Sequence, residues 1–158
     1  MANNTGSAGE YLVASELCRR GFIATTFTRN MPHFDILTEK DNHFLKIQVK
    51  TVKTGEWSLD AKAFLEFDED SWNNGIQKVT GKKRFNSDFF VFVRLGEYGH
   101  DSFFIVATND VIELVRKSYS GYLETKGGRR VRNPKSTHTK LKIKDIEHYA
   151  NNWDLLEK

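Results

Sequence analysis

One cysteine, two prolines and no apolar run of bilayer-spanning length: these scarcities bound the 158-residue chain before any motif is considered. Cys18 has no partner for an internal disulfide, and without other thiols there is no finger-type zinc site, so a reducing compartment, the cytoplasm, is expected. Met1-Ala2-Asn3-Asn4-Thr5-Gly6 shows no basic stretch leading into an apolar one, and no window approaches the ~20 apolar residues of a membrane span. Neither a secretory leader nor a membrane segment is expected. Internal repeats and low-complexity linkers are also missing, which predicts one compact domain over residues 1–158. A domain of this length buries roughly 68–70% of its unfolded surface, enough for a core without metal or disulfide support.

Acidic residues are missing from one segment in particular. The net charge of +3 combines 24 Lys and Arg with 21 Asp and Glu. Yet Lys126, Arg129, Arg130, Arg132, Lys135, Lys140, Lys142 and Lys144 fall in a stretch with no Asp or Glu. Gly127-Gly128 and Asn133-Pro134 are turn formers, so residues 126–144 read as a flexible basic loop able to follow a polyanion through counterion release. Lys78, Lys82, Lys83 and Arg84 form a second basic cluster. Together they point to nucleic acid.

The spacing Ser7-Ala8-Gly9-Glu10 matches a capping box and predicts a helix running to about Arg20, closed by Gly21. Glu10 then shares a helical face with Val13, Ala14 and Leu17. Strands are predicted at 22–27, 33–38 and 44–52, the last two forming a hairpin about Asp41-Asn42, and again at 88–95 and 102–107. Helices are expected at 110–119 and 145–156, each capped by its aspartate. The order predicts an α/β fold, a central mixed sheet flanked by helices.

Alternation along Leu45-Lys46-Ile47-Gln48-Val49-Lys50-Thr51 sends Lys46, Gln48 and Lys50 to one face. A symmetric hairpin sets Asp35, a charge between Phe34 and Ile36, opposite Gln48. A hard cation such as Mg²⁺ prefers carboxylate and carbonyl oxygens, so Asp35, the Gln48 side chain and the Val49 carbonyl suit it, with Glu10 completing the set. Lys50 lies within a side chain of that point, where it can orient or deprotonate the attacking water or balance charge on a developing phosphorane.

Gly9-Glu10-x-x-Val13-Ala14-x-x-Leu17, then Phe34-Asp35-Ile36, then Ile47-Gln48-Val49-Lys50-Thr51 resembles the PD-(D/E)xK nuclease superfamily over residues 6–53. In pattern it is similar to archaeal Holliday-junction resolvases and Mrr-type restriction endonucleases. The resemblance implies a restriction-endonuclease-like core and Mg²⁺-dependent hydrolysis of DNA phosphodiesters, with Mn²⁺ as substitute. It implies Asp35 as metal ligand, Gln48 at the acidic-ligand position, Lys50 as catalytic and Glu10 as supporting the metal. Two departures stand out: Pro32 is separated from Asp35 by His33-Phe34, and Gln48 is neutral where the second carboxylate usually stands.

Bland roles exist for each residue. Glu10 could be a cap, Gln48 and Lys50 a solvated strand face, and Asp35 the partner of Lys50 in an ion pair. Cys18 reads as a core thiol, the five histidines as turn or surface residues, and Trp57, Trp72 and Phe85 as core filling ahead of base stacking. The expected nucleic-acid contacts are Lys82, Lys83, Arg84, Arg129, Arg130, Arg132, Lys135 and Lys140. Double-stranded or branched DNA is the expected partner. The alternatives are a non-catalytic nucleic-acid-binding module that kept the fold, or a nuclease directed at RNA. Cutting two strands symmetrically is compatible with a homodimer, with residues 64–67 or the Trp153 helix as the two-fold interface.

Overall fold

The structure is a computed structural model in which residues 4–27 and 33–158 are described; Pro32 lies outside them. In chain order the elements are α1 (Asn4–Arg19), β1 (Ile23–Thr26), β2 (Ile36–Lys40), β3 (His43–Val52), β4 (Trp57–Asp60), α2 (Ala61–Phe64), β5 (Leu65–Phe67), α3 (Glu69–Asn73), β6 (Val79–Lys82), β7 (Phe89–Arg94), β8 (Ser102–Ala107), α4 (Thr108–Thr125), β9 (His138–Leu141) and α5 (Ile143–Ile146). Two 3₁₀ turns follow, at Glu147–Tyr149 and Trp153–Glu157. The chain divides into two compact units, Met1–Trp57 with Phe85–Thr108 and Lys142–Lys158, and Ser58–Arg84 with Asn109–Leu141.

A five-stranded sheet in the order β1-β2-β3-β7-β8 forms the first unit, in the mixed α/β arrangement expected. Neighbours are antiparallel except β3 and β7, which run parallel as only a long crossover permits. Asp41 and Asn42 take φ of 53° and 65°, the left-handed pair a two-residue hairpin turn requires, and this fixes the β2–β3 register with Ile36 opposite Ile47. Gly21, at φ 85°, ends α1: the Phe22 N–H donates to the Leu17 carbonyl at 3.1 Å, a left-handed closure that glycine permits without strain. Val13 and Leu17 of α1 pack on Ile36, Ile47, Val49, Val91, Val93, Phe103 and Ile105, with Trp153 and Leu156 from the C-terminal turns. The opposite face of β7 and β8 buries Phe90, Phe92 and Phe104, with Trp57 edge-on to Phe92 at 5.5 Å and to Phe104 at 5.7 Å. Burial on both faces accounts for the unbroken apolar runs of these two strands.

The second unit holds β9 with most of its partner β4, the pair β5–β6, α2, α3 and most of α4. Its short helices start on aspartates: Asp60 accepts from the Lys62 N–H at 3.0 Å and Asp68 from the Ser71 N–H at 2.9 Å.

Several expectations need correction. No helix spans 145–156, because Asn151 at φ 52° breaks it and its N–H donates to the Phe103 carbonyl at 2.8 Å, pulling the chain onto β8. The helix expected at 110–119 is longer, beginning at Thr108, so Asp110 lies in its first turn and is not its cap. Since α1 already includes Asn4, Ser7 and Glu10 sit inside it and form no capping box. Cys18 is exposed rather than core. Phe64 and Trp153, proposed above for a two-fold interface, are buried within their own units, and Phe67 packs edge-on against Trp72 and Tyr119.

Candidate active site

β2 begins one residue after Asp35, so Asp35 sits where the β2–β3 ladder opens. Its N–H still donates to the Ile47 carbonyl at 2.8 Å, while one side-chain oxygen accepts the Val49 N–H at 2.7 Å. The carboxylate thereby takes the ladder position that a backbone carbonyl would hold, and its orientation is fixed by β3. His33 turns the chain just before it, at φ 94°, a conformation few residues other than glycine adopt.

Glu10 arrives from α1, and Gly9 explains how close that helix comes. A Cβ on Gly9 would lie 1.9 Å from Thr51 Oγ1, so the helix rests directly on β3, in contact with the residue after Lys50. Burial raises the Glu10 carboxyl from its ordinary value, the charge of Asp35 pushes it further, and Lys50 opposes both. Asp35 is likewise raised, chiefly by burial, against the opposing Val49 hydrogen bond and the Lys50 charge. The two carboxylates and Lys50 therefore share one electrostatic neighbourhood.

Gln48 contributes a second sign of an unfinished site: its Oε1 is buried with no hydrogen-bond partner, as is Thr51 Oγ1. An orphaned buried amide oxygen costs roughly 1–3 kcal/mol and calls for an explanation. Lys50 forms no salt bridge with Asp35 or Glu10 among the described residues, so a closed structural ion pair does not explain these groups. Lys46, on the same strand face, is engaged elsewhere, its Nζ donating to Asn86 at 2.9 Å. Among the described residues, no three His, Cys, Asp or Glu side chains converge as a metal cluster, so any cation here would rest on two carboxylates and neutral oxygens.

The expected nucleic-acid contacts, Lys82 to Arg84 and Arg129 to Lys140, belong to the second unit. Residues 126–141 are held in place, where a flexible loop was expected. Gln77, 3% exposed, donates from Nε2 to the carbonyls of Pro134 at 2.6 Å and Ser136 at 3.0 Å. Lys82 pairs with Glu113, and Lys83 Nζ donates to the Lys62 carbonyl at 2.8 Å. Arg130 turns inward over Tyr122 at 5.1 Å and donates to the His138 carbonyl at 3.0 Å. Arg84, Arg129, Arg132, Lys135 and Lys140 are exposed. The role of Gln77 was invisible in the sequence, where a lone glutamine amid turn residues carries no signal.

No protein-family profile matches the chain, and no curated protein matches it. Among solved structures it is similar to a bacterial homing endonuclease, I-Ssp6803I, with a TM-score of 0.56 and 14% identity over 98% of this chain and 92% of that one. At that identity the likeness is one of fold.

Proposed function

We propose that this chain is a Mg²⁺-dependent DNA endonuclease of the PD-(D/E)xK type, hydrolysing phosphodiester bonds at Glu10, Asp35, Gln48 and Lys50. The observation that carries the proposal is the buried, unpartnered Gln48 Oε1 in the strand that anchors Asp35. A hard divalent cation accounts for it, since such ions take carboxylate and amide oxygens. Glu10, Asp35 and Gln48 would hold the ion, with the Val49 carbonyl beside them. Bound there, it would neutralise the carboxylates and the phosphate together and act as a Lewis acid on the scissile group. The fold likeness to an endonuclease supports the same class of substrate.

The chain's own residues have separable tasks. Asp35, oriented by the hydrogen bond it accepts from the Val49 N–H, would present its carboxylate to the ion. Lys50, free of any salt bridge among the described residues, would balance charge developing on the phosphorane oxygens or help orient the attacking water. Glu10, brought in on α1, would complete the ion's ligand set.

Purified protein incubated with supercoiled plasmid and branched DNA in Mg²⁺, Mn²⁺ or EDTA tests the reading. Cutting should require a metal and fall by about 10²–10³-fold or more in Asp35→Ala and Lys50→Ala. Salt-sensitive binding without cutting under any metal would instead identify a binding module that has lost its chemistry.

A further inference from the structure

We infer that the second unit carries a preformed phosphate-binding surface, in which Arg129, Arg132 and Lys135 reach outward while the buried Gln77 and Tyr119, with the half-buried Arg130, form the clamp that holds them. The inference rests on the nucleic-acid reading above. Its basis is a division of labour among residues that look alike in sequence.

Gln77 satisfies nearly everything around it. Its own N–H donates to the Gly128 carbonyl at 2.8 Å, its amide group to Pro134 and Ser136, and its Oε1 accepts the Tyr119 hydroxyl at 2.7 Å. Tyr119 also reaches the Ser136 carbonyl at 3.1 Å. The far end is tied by the Ala61 N–H to the Thr137 carbonyl at 2.8 Å and by the Thr137 hydroxyl to Asp60. A segment pinned at Gly128, Pro134, Ser136 and Thr137 has lost most of its freedom before any partner arrives. Arg130 stacks on Tyr119 and Tyr122 inside this frame, so its charge is already engaged.

Arg129, Arg132 and Lys135 are exposed, and among the described residues their side chains have no hydrogen-bond or ion-pair partner. No acidic residue lies between Lys126 and Lys144 to neutralise them. Paired guanidinium forks on a fixed backbone suit phosphate oxygens, which accept two parallel hydrogen bonds. Clamping the segment in advance removes the ordering cost that a mobile basic tail would meet on binding.

The test is binding of a labelled duplex by the full chain in EDTA across a salt series. Neutralising Arg129, Arg132 or Lys135 to Gln should each lower the slope of log affinity against log salt by about one. Arg130→Gln should leave the slope unchanged. Gln77→Met, which alters no charge, should weaken binding by roughly tenfold at unchanged slope and speed amide exchange over 129–137. Tyr119→Phe, a milder lesion, should act in the same direction if Gln77→Met does not fold. An equal loss of slope in Arg130→Gln and Arg132→Gln overturns the division, as does full affinity in a folded Gln77→Met. Polyglutamate competing as well as duplex at equal charge would make the surface one for acidic proteins, which also overturns it. A wild-type chain that binds no duplex sinks the nucleic-acid reading itself.

Discussion

Asp35 and Glu10 hold their protons more tightly than ordinary carboxyls because burial draws both out of water, with the Asp35 charge adding to the effect on Glu10, so their ionised forms burden the folded state. The sign follows from linkage. With the folded pKa above the unfolded one, the native protein binds more protons, and stability falls as pH rises through the interval between the two values. Asp35→Asn should therefore raise the melting temperature at neutral pH while abolishing cleavage, a pairing that thermal unfolding and a plasmid assay can check together. A lower melting temperature would mean that the Val49 hydrogen bond outweighs the burial of charge. Gln48→Glu adds a third carboxylate, so it should tighten Mn²⁺ binding by isothermal titration and keep or increase cutting. These positions were legible in the sequence because a charge in an apolar strand and a polar alternation are local patterns. The orphaned state of Gln48 Oε1 was not, since it depends on what fails to pack around it.

At the scale of elements, α1 and β3 meet where Gly9 lacks a side chain and Thr51 fills the space. Gly9→Ala drives a Cβ into Thr51 Oγ1 and should cost about 1–3 kcal/mol as the helix is pushed off the strand. Because Glu10 moves with the helix, metal affinity and cutting should fall along with stability. Gly9→Ala combined with Thr51→Ala, which removes Oγ1 and Cγ2, should recover part of both. Denaturant melts and Mn²⁺ titration would read this, and no recovery would place the fault in helix geometry rather than in the contact. The β2–β3 hairpin was the most readable element, because two left-handed residues at its turn fix both register and face. The C-terminal segment was the least readable. Its apolar spacing is helical and Trp153 and Leu156 are buried as expected, yet Asn151 diverts the backbone to β8, a tertiary preference with no local mark.

Over the whole molecule, cation binding should couple to stability. On the proposed ligand set of Glu10, Asp35 and Gln48, which the unfolded chain scatters, Mg²⁺ or Mn²⁺ at 100 times its dissociation constant should stabilise by about 2.7 kcal/mol. Differential scanning calorimetry should show that shift in the wild type and none in Asp35→Ala; a shift in both would move the cation elsewhere. The sequence by itself determined the α/β class, the hairpin register and the partnership of Asp35 with the Gln48–Lys50 strand, because these follow from period, turn chemistry and chain neighbours. Tertiary structure alone decided which basic residues face outward and that 126–141 is pinned. It also decided that the stretch between β3 and β7 forms, with α4 and β9, a unit of its own. Those outcomes depend on which distant carbonyls a buried glutamine and tyrosine can reach, and on long-range pairings that leave no periodic trace along the chain.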